Sequence, residues 1–89
     1  MSPYINHEKR RILYKKLTEL WELPELDAGS KNYVITKFLL TQLPKEPGYA
    51  DYNELVGVLE CCKLEIARRV IYPYENKKCS ENGDIFEKD

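Results

Sequence analysis

The apolar residues of the chain recur every three or four positions in three separate stretches, which is the spacing of one face of an α-helix. The first stretch begins after Asn6 or His7, where Asn6 is a good N-cap. It ends near Glu22, because Pro24 cannot continue a helix. Its apolar positions are Leu13, Leu17, Leu20 and Trp21. This pattern predicts an amphipathic helix.

Two further helices are predicted by the same criteria. The second begins at Ser30, a favourable N-cap, and ends before Pro44. The third opens with Asp51, which resembles the first residue of a capping box because a glutamate follows three positions later. It ends near Tyr72, since Pro73 comes next. Its main apolar stripe consists of Leu55, Leu59, Cys62, Ile66 and Val70.

These elements predict an all-α domain over residues 1–72, arranged as a three-helix up-down-up bundle. Residues 73–89 are polar and contain a turn signal at Asn82-Gly83, so an irregular C-terminal tail that packs on the bundle is expected. Within that tail, Ile85 and Phe86 are the residues expected to dock as a short extended piece.

A second apolar face predicts self-association. On an ideal helical wheel, Leu64 and Ile71 point away from the main stripe of the third helix. Helices that are apolar on two sides are usually buried on two sides, although single exposed apolar residues are normal. A chain of 89 residues also has little room for a core. We therefore expect a homo-oligomer.

Composition limits the classes of partner. Apolar residues are 43% and charged residues 33%, as in globular chains, and the net charge is −1. That balance gives no general attraction to DNA or to a membrane surface. The apolar runs are too short to span a bilayer, and no signal segment is visible. Three cysteines suit a reducing cytoplasm.

The sequence offers no catalytic or metal-binding constellation. The single histidine, His7, and the cysteines lack the spacing of a zinc site or of a nucleophile with its base. A glycine-rich phosphate loop is also missing. The third helix begins with acidic residues, which disfavours insertion into a DNA groove. We expect a protein that is not an enzyme and that uses no cofactor and no metal.

One end of the predicted bundle gathers cations and aromatic rings. In an up-down-up bundle, the end of the third helix lies beside the start of the second, whose backbone amides attract anions. Guanidinium groups bind phosphate, and aromatic faces stack on bases. Arg69 also has an ordinary explanation, because Glu65 lies four residues before it. The candidate ligand-binding residues are Arg68, Arg69, Asn32, Tyr33, Tyr74, Lys77 and Lys78.

Several short sequence motifs along the chain resemble those of a family of small uncharacterised proteins from bacteriophages and prophages. These motifs are the opening Pro3-Tyr4-Ile5, Asn32-Tyr33-Val34-Ile35-Thr36, the stretch 53–60, Lys63-Leu64-Glu65 with Arg68-Arg69-Val70, Pro73-Tyr74-Glu75 with Lys77 or Lys78, and Glu81-Asn82-Gly83-Asp84. The resemblance implies a phage gene product that acts in the cytoplasm of the bacterial host, and it implies no particular activity.

Two functions are compatible with this reading. The first is a non-enzymatic binding protein that sequesters a small phosphate-bearing ligand, such as a cyclic nucleotide immune signal, by analogy with the very small helical oligomers of phages. The alternative is a protein–protein interaction module that binds a host or phage protein through the outer face of the third helix, around Leu64 and Ile71.

Overall fold

The computed structural model describes residues 5–86, and it is all-helical over that range, which confirms the predicted class. The elements are α1 (His7–Leu20), α2 (Ala28–Thr41), α3 (Tyr49–Ile66), a π-helical turn (Ala67–Ile71) and α4 (Tyr72–Asn82). The last three are continuous and make one long, bent helix. The chain divides into two units, Met1–Thr41 and Gln42–Asp89.

The first unit contains α1 and α2. Asn6 caps α1 as predicted, and its side-chain oxygen accepts a hydrogen bond from the Lys9 backbone N–H at 2.8 Å. Near the end of the helix, the rings of Tyr14 and Trp21 meet edge to face, with centroids 5.1 Å apart and planes at 86°. Three residues apart, Glu8 and Arg11 form an ion pair at 2.8 Å. All of these contacts are local to α1.

Helix α2 begins at Ala28, so the prediction that Ser30 is its N-cap is wrong. The carboxylate of Asp27 accepts the backbone N–H of Ser30 at 2.7 Å, and the Asp27 carbonyl accepts that of Lys31 at 3.0 Å. Aspartate and serine are both good caps, and the aspartate has the advantage of a negative charge at the positive end of the helix. The helix therefore starts three positions earlier than serine alone would place it.

Helix α3 begins at Tyr49 with Gly48 as its N-cap, so the predicted start at Asp51 is also wrong. Asp51 occupies the first turn, and its carboxylate reaches back to accept the Gly48 backbone N–H at 2.9 Å. Glycine is tolerated at the N-cap because it adopts extended backbone without penalty. The acidic residue thus stabilises the helix start from inside the first turn rather than as the cap.

Pro73 does not end the third helix, contrary to the prediction for Tyr72, because a π-turn precedes it. The Tyr72 backbone N–H bonds to the Ala67 carbonyl, five residues back instead of four. A proline in a regular α-helix collides with the carbonyl four residues earlier. The wider π-turn relieves that collision. Residues 73–82, predicted as part of the irregular tail, therefore belong to helix α4.

The π-turn also changes which side chains share a face. A π-turn adds one residue to the helix, so every later side chain is turned back by about 100° relative to an uninterrupted α-helix. Val70, which was predicted on the stripe of α3, stays on it, and Tyr74 continues it in place of Pro73. Ile71 moves from the outer face, where the ideal wheel predicted it, to the edge of the stripe.

The end of α4 is marked by Gly83, whose φ of 92° favours glycine. Its N–H bonds to the Cys79 carbonyl at 2.9 Å, which closes the last turn. Ile85 and Phe86 follow and are 90% and 84% exposed, and their docking on the bundle stays a prediction. Positions 87–89 of the predicted tail lie outside the described residues, as do Pro3 and Tyr4 of the family resemblance.

The described residues lack a conventional core. Ala67, in the π-turn, is the one apolar residue of positions 5–86 that is buried, at 8% exposure. The large apolar residues of the helices are exposed or only half-buried. Folded proteins normally bury most of their Leu, Ile and Val side chains. No helix in the described range is both long and apolar enough to cross a bilayer.

Candidate functional site

The two candidate arginines share a single carboxylate. Arg68 donates from Nη2 to Glu65 Oε1 at 2.5 Å, and Arg69 donates from Nε to Glu65 Oε2 at 2.6 Å. The carboxylate is 26% exposed and both guanidinium groups are more than half exposed. Two positive charges on one negative charge leave the cluster with a residual charge of +1. This cluster is cationic and accessible, and it is already internally hydrogen-bonded.

Both arginines reach Glu65 because they follow it by three and four residues, the spacings that bring side chains together on a helix. On an ideal wheel, Arg69 falls inside the apolar arc beside Cys62 and Ile66. The extra residue of the π-turn turns Arg69 out of that arc. Exposed pairs of this kind contribute about 0–1 kcal/mol each. The pairing fits the ordinary explanation of four-residue spacing, and it removes any need for Arg69 to bury a charge.

A second group of candidate residues lies one turn further along. The Lys78 ammonium lies over the Tyr74 ring, 5.5 Å from its centroid, and also approaches Glu81 at 3.4 Å. Tyr74 and Lys77 are exposed. The structure therefore brings Tyr74 and Lys78 together, while their role as a stacking ring and a closing cation stays a prediction.

The start of α2 is less open to an anion than predicted. The Asp27 carboxylate occupies that end of the helix, and its bond from the Ser30 backbone N–H lowers the pKa of Asp27. It therefore stays ionised and competes with any phosphate for the same amides. In the next turn, the Asn32 side-chain oxygen accepts a hydrogen bond from Thr36 Oγ1 at 3.0 Å, while Tyr33 is exposed.

The predicted site residues are divided between the two units. Asn32 and Tyr33 belong to Met1–Thr41, and the other five belong to Gln42–Asp89. Within the second unit, the arginines and the Tyr74–Lys78 pair follow each other along one helix. The juxtaposition of the α2 start with the arginines stays a prediction.

The most extensive feature of the second unit is an apolar seam along α3 and its continuation. Its apolar residues stay on one face of the helix because the π-turn adds the one residue that their spacing requires. Their side chains are exposed or half-buried. We define the seam as Tyr52, Leu55, Leu59, Cys62, Ile66, Val70 and Tyr74. Leu64 lies off the seam and is also exposed.

The cysteines are free thiols. Cys61, Cys62 and Cys79 are exposed and unpaired with one another. Within residues 5–86, no three His, Cys, Asp or Glu side chains are grouped closely enough to hold a metal ion.

Five of the seven seam residues, from Leu55 to Val70, were predicted from an ideal wheel, but the π-turn and the continuation to Tyr74 were missed. Apolar positions recur at intervals of three and four residues as far as Ile66, and the next are Val70 and Tyr74, each four residues on. A strict heptad repeat would place Arg69 and Pro73 there instead. Charged and helix-breaking residues at two successive stripe positions indicate an inserted residue.

Together, these features define a small all-helical protein with local charge pairs and a long unpartnered apolar seam. The chain belongs to the family described as Domain of unknown function (DUF6899), whose match covers residues 1–85. No curated protein and no solved structure matches the chain.

Proposed function

We propose that this chain is a non-enzymatic interaction protein that works as a homo-oligomer, with its three helices packed as an up-down-up bundle inside the assembly. The observation that carries the proposal is the exposure of the large apolar side chains over residues 5–86, where Ala67 is the one buried apolar residue. Apolar surface on this scale is characteristic of chains that are completed by association.

The proposal also includes the binding of a partner protein by the homo-oligomer. The resemblance to phage proteins supports a phage-encoded product in the cytoplasm of a bacterial host, where such proteins meet host and phage partners. The outer face of α3 around Leu64 is free of the seam and suits such a partner. Because Ile71 lies at the seam edge, this outer face is narrower than the sequence predicted.

Sedimentation of the purified chain tests the assembly. We expect a species at a multiple of 10.5 kDa that dissociates on dilution together with a loss of helical circular dichroism. Helices of this length are marginal alone in water, so assembly and helicity should be lost together. A fully helical 10.5 kDa monomer at micromolar concentration would contradict the proposal.

A second candidate function is capture of a small phosphate-bearing ligand, such as a cyclic nucleotide. It is favoured by the residual positive charge on the Glu65–Arg68–Arg69 cluster and by the adjacent Tyr74–Lys78 pair. Such a ligand would have to displace Glu65 from the two guanidinium groups. Its phosphate would then replace a carboxylate that already satisfies them.

Calorimetry against a panel of cyclic di- and trinucleotides tests this capture. We expect R69A to lower the affinity by roughly tenfold to a hundredfold, and E65Q to raise it by releasing both arginines. The matched control is R11A, which removes an arginine with a similar local partner, Glu8 at 2.8 Å. No heat from any member of the panel, or an equal loss in R11A, would contradict capture at this site.

A further inference from the structure

The seam has the spacing of a coiled-coil stripe. From Tyr52 to Ile66 its members alternate intervals of three and four residues, which is the a/d pattern of a heptad repeat. The π-turn keeps Val70 and Tyr74 on the same line through the extra residue. The seam thus offers apolar positions over about six turns of one continuous helix. An apolar stripe with this heptad spacing can pack against a second helix that carries the same stripe.

Charge is distributed unevenly along the same helix. Residues 49–60 contain three carboxylates, at Asp51, Glu54 and Glu60, and no lysine or arginine. Residues 61–73, which lie opposite 49–60 when two copies run antiparallel, contain three cations, Lys63, Arg68 and Arg69, against one carboxylate, Glu65. Two copies aligned in parallel would place like charges together, whereas antiparallel copies place each acidic half against a basic half. Antiparallel alignment also opposes the helix dipoles.

We propose that the seam is the contact between two copies of this chain, which pair antiparallel about a two-fold axis near Glu60 and Cys61. This inference deepens the proposed self-association and rests on it. The alternation of a and d positions then fixes the layers. Leu59 lies opposite Cys62 of the second copy, and Leu55 lies opposite Ile66 of the second copy.

The π-turn decides which side chain of the second copy lies opposite Tyr52 in the outer layer. With the added residue, Tyr52 lies opposite Val70 of the second copy, whereas a regular helix would place the guanidinium of Arg69 in that layer. Asp51 and Glu54 then lie near the Glu65–Arg68–Arg69 cluster of the second copy, whose residual charge is positive. The arrangement is isologous, as a two-fold axis requires.

Cysteine cross-linking tests the orientation. In a background with C61S, C62A and C79S, one tagged chain carries L55C and a second carries I66C, and the two are co-expressed and oxidised. We expect the mixed L55C–I66C disulfide as the main covalent product. Replacing I66C by L64C, on the outer face, should abolish that product.

The outcomes distinguish a failure of antiparallel pairing from a failure of the proposed self-association. L55C linked to itself as the main product would show parallel pairing and overturn the inference. An oligomer by sedimentation with no L55C–I66C link would also overturn it, while leaving self-association intact. A 10.5 kDa monomer of the unmodified chain would overturn both.

A spin label at Ala50, outside the seam, keeps the test independent of seam substitutions. Antiparallel pairing offsets the two labels by about 20 residues, or about 30 Å along the helix axis. Parallel pairing in register gives no axial offset. A distance between labels below about 20 Å would overturn the inference.

Discussion

Replacing Leu59 with aspartate is expected to dissociate the assembly into 10.5 kDa chains and to reduce their helical content. Leu59 lies near the middle of the seam, where pairing would bury a carboxylate against apolar side chains. Burial of an unpaired polar group costs roughly 3 kcal/mol, which is about a hundredfold in the association constant. Sedimentation velocity and circular dichroism at the same concentrations measure both effects.

The matched control is Leu64→Asp, which places the same carboxylate on α3 but off the seam. Both leucines are about half exposed in the isolated chain, so the contacts within one chain do not distinguish them. We expect L64D to keep the assembly state of the unmodified chain. Equal dissociation of L59D and L64D, or of neither, would show that the seam is not the contact.

Deleting Arg68 is the second change with a large expected effect. The deletion removes the extra residue of the π-turn and makes the turn regular, so Val70 and Tyr74 keep their places on the seam. The narrowed turn no longer accommodates Pro73, because a proline in a regular α-helix collides with the carbonyl four residues earlier. That collision costs roughly 3 kcal/mol, or about a hundredfold in association if the helix beyond it is lost from the contact.

Two controls separate the effect of Pro73 from the loss of the guanidinium group. The variant R68A removes the guanidinium group and keeps the residue count, so we expect near-normal assembly, because an exposed ion pair contributes about 0–1 kcal/mol. The deletion combined with P73A gives a regular helix that keeps the seam and carries no proline, so its assembly should return to near normal. Equal assembly of the deletion and R68A variants by sedimentation would refute the role assigned to the π-turn.

Local rules were sufficient for much of the fold. The periodicity of apolar residues predicted every helix up to Tyr72, and Asn6 was identified as a cap because its contact with Lys9 lies three residues away. The starts of α2 and α3 were misplaced because two capping residues compete within a few positions, as Asp27 and Ser30 do. Such choices differ by small free energies that a residue ranking does not resolve.

The candidate site, like the fold, could be predicted from the sequence only in part. The pairing of Arg69 with Glu65 follows from a spacing of four residues and was foreseeable. The effect of Pro73 was not, because the usual rule describes a proline in a regular helix and this proline follows a wider turn. Contact between α2 and the arginines depends on packing between distant segments, which no local pattern encodes.

The π-turn at Ala67–Ile71 has a consequence for reading related chains. A homologue that lacks one amino acid in this interval would align with a single gap that looks trivial. Because the extra residue is accommodated within the π-turn, such a homologue would have a regular helix here, and its downstream residues would keep their places on the inner and outer faces of the helix. A one-residue gap placed elsewhere in α3 would instead align residues that lie on different faces. The gap therefore belongs within Ala67–Ile71 when binding residues are transferred between homologues.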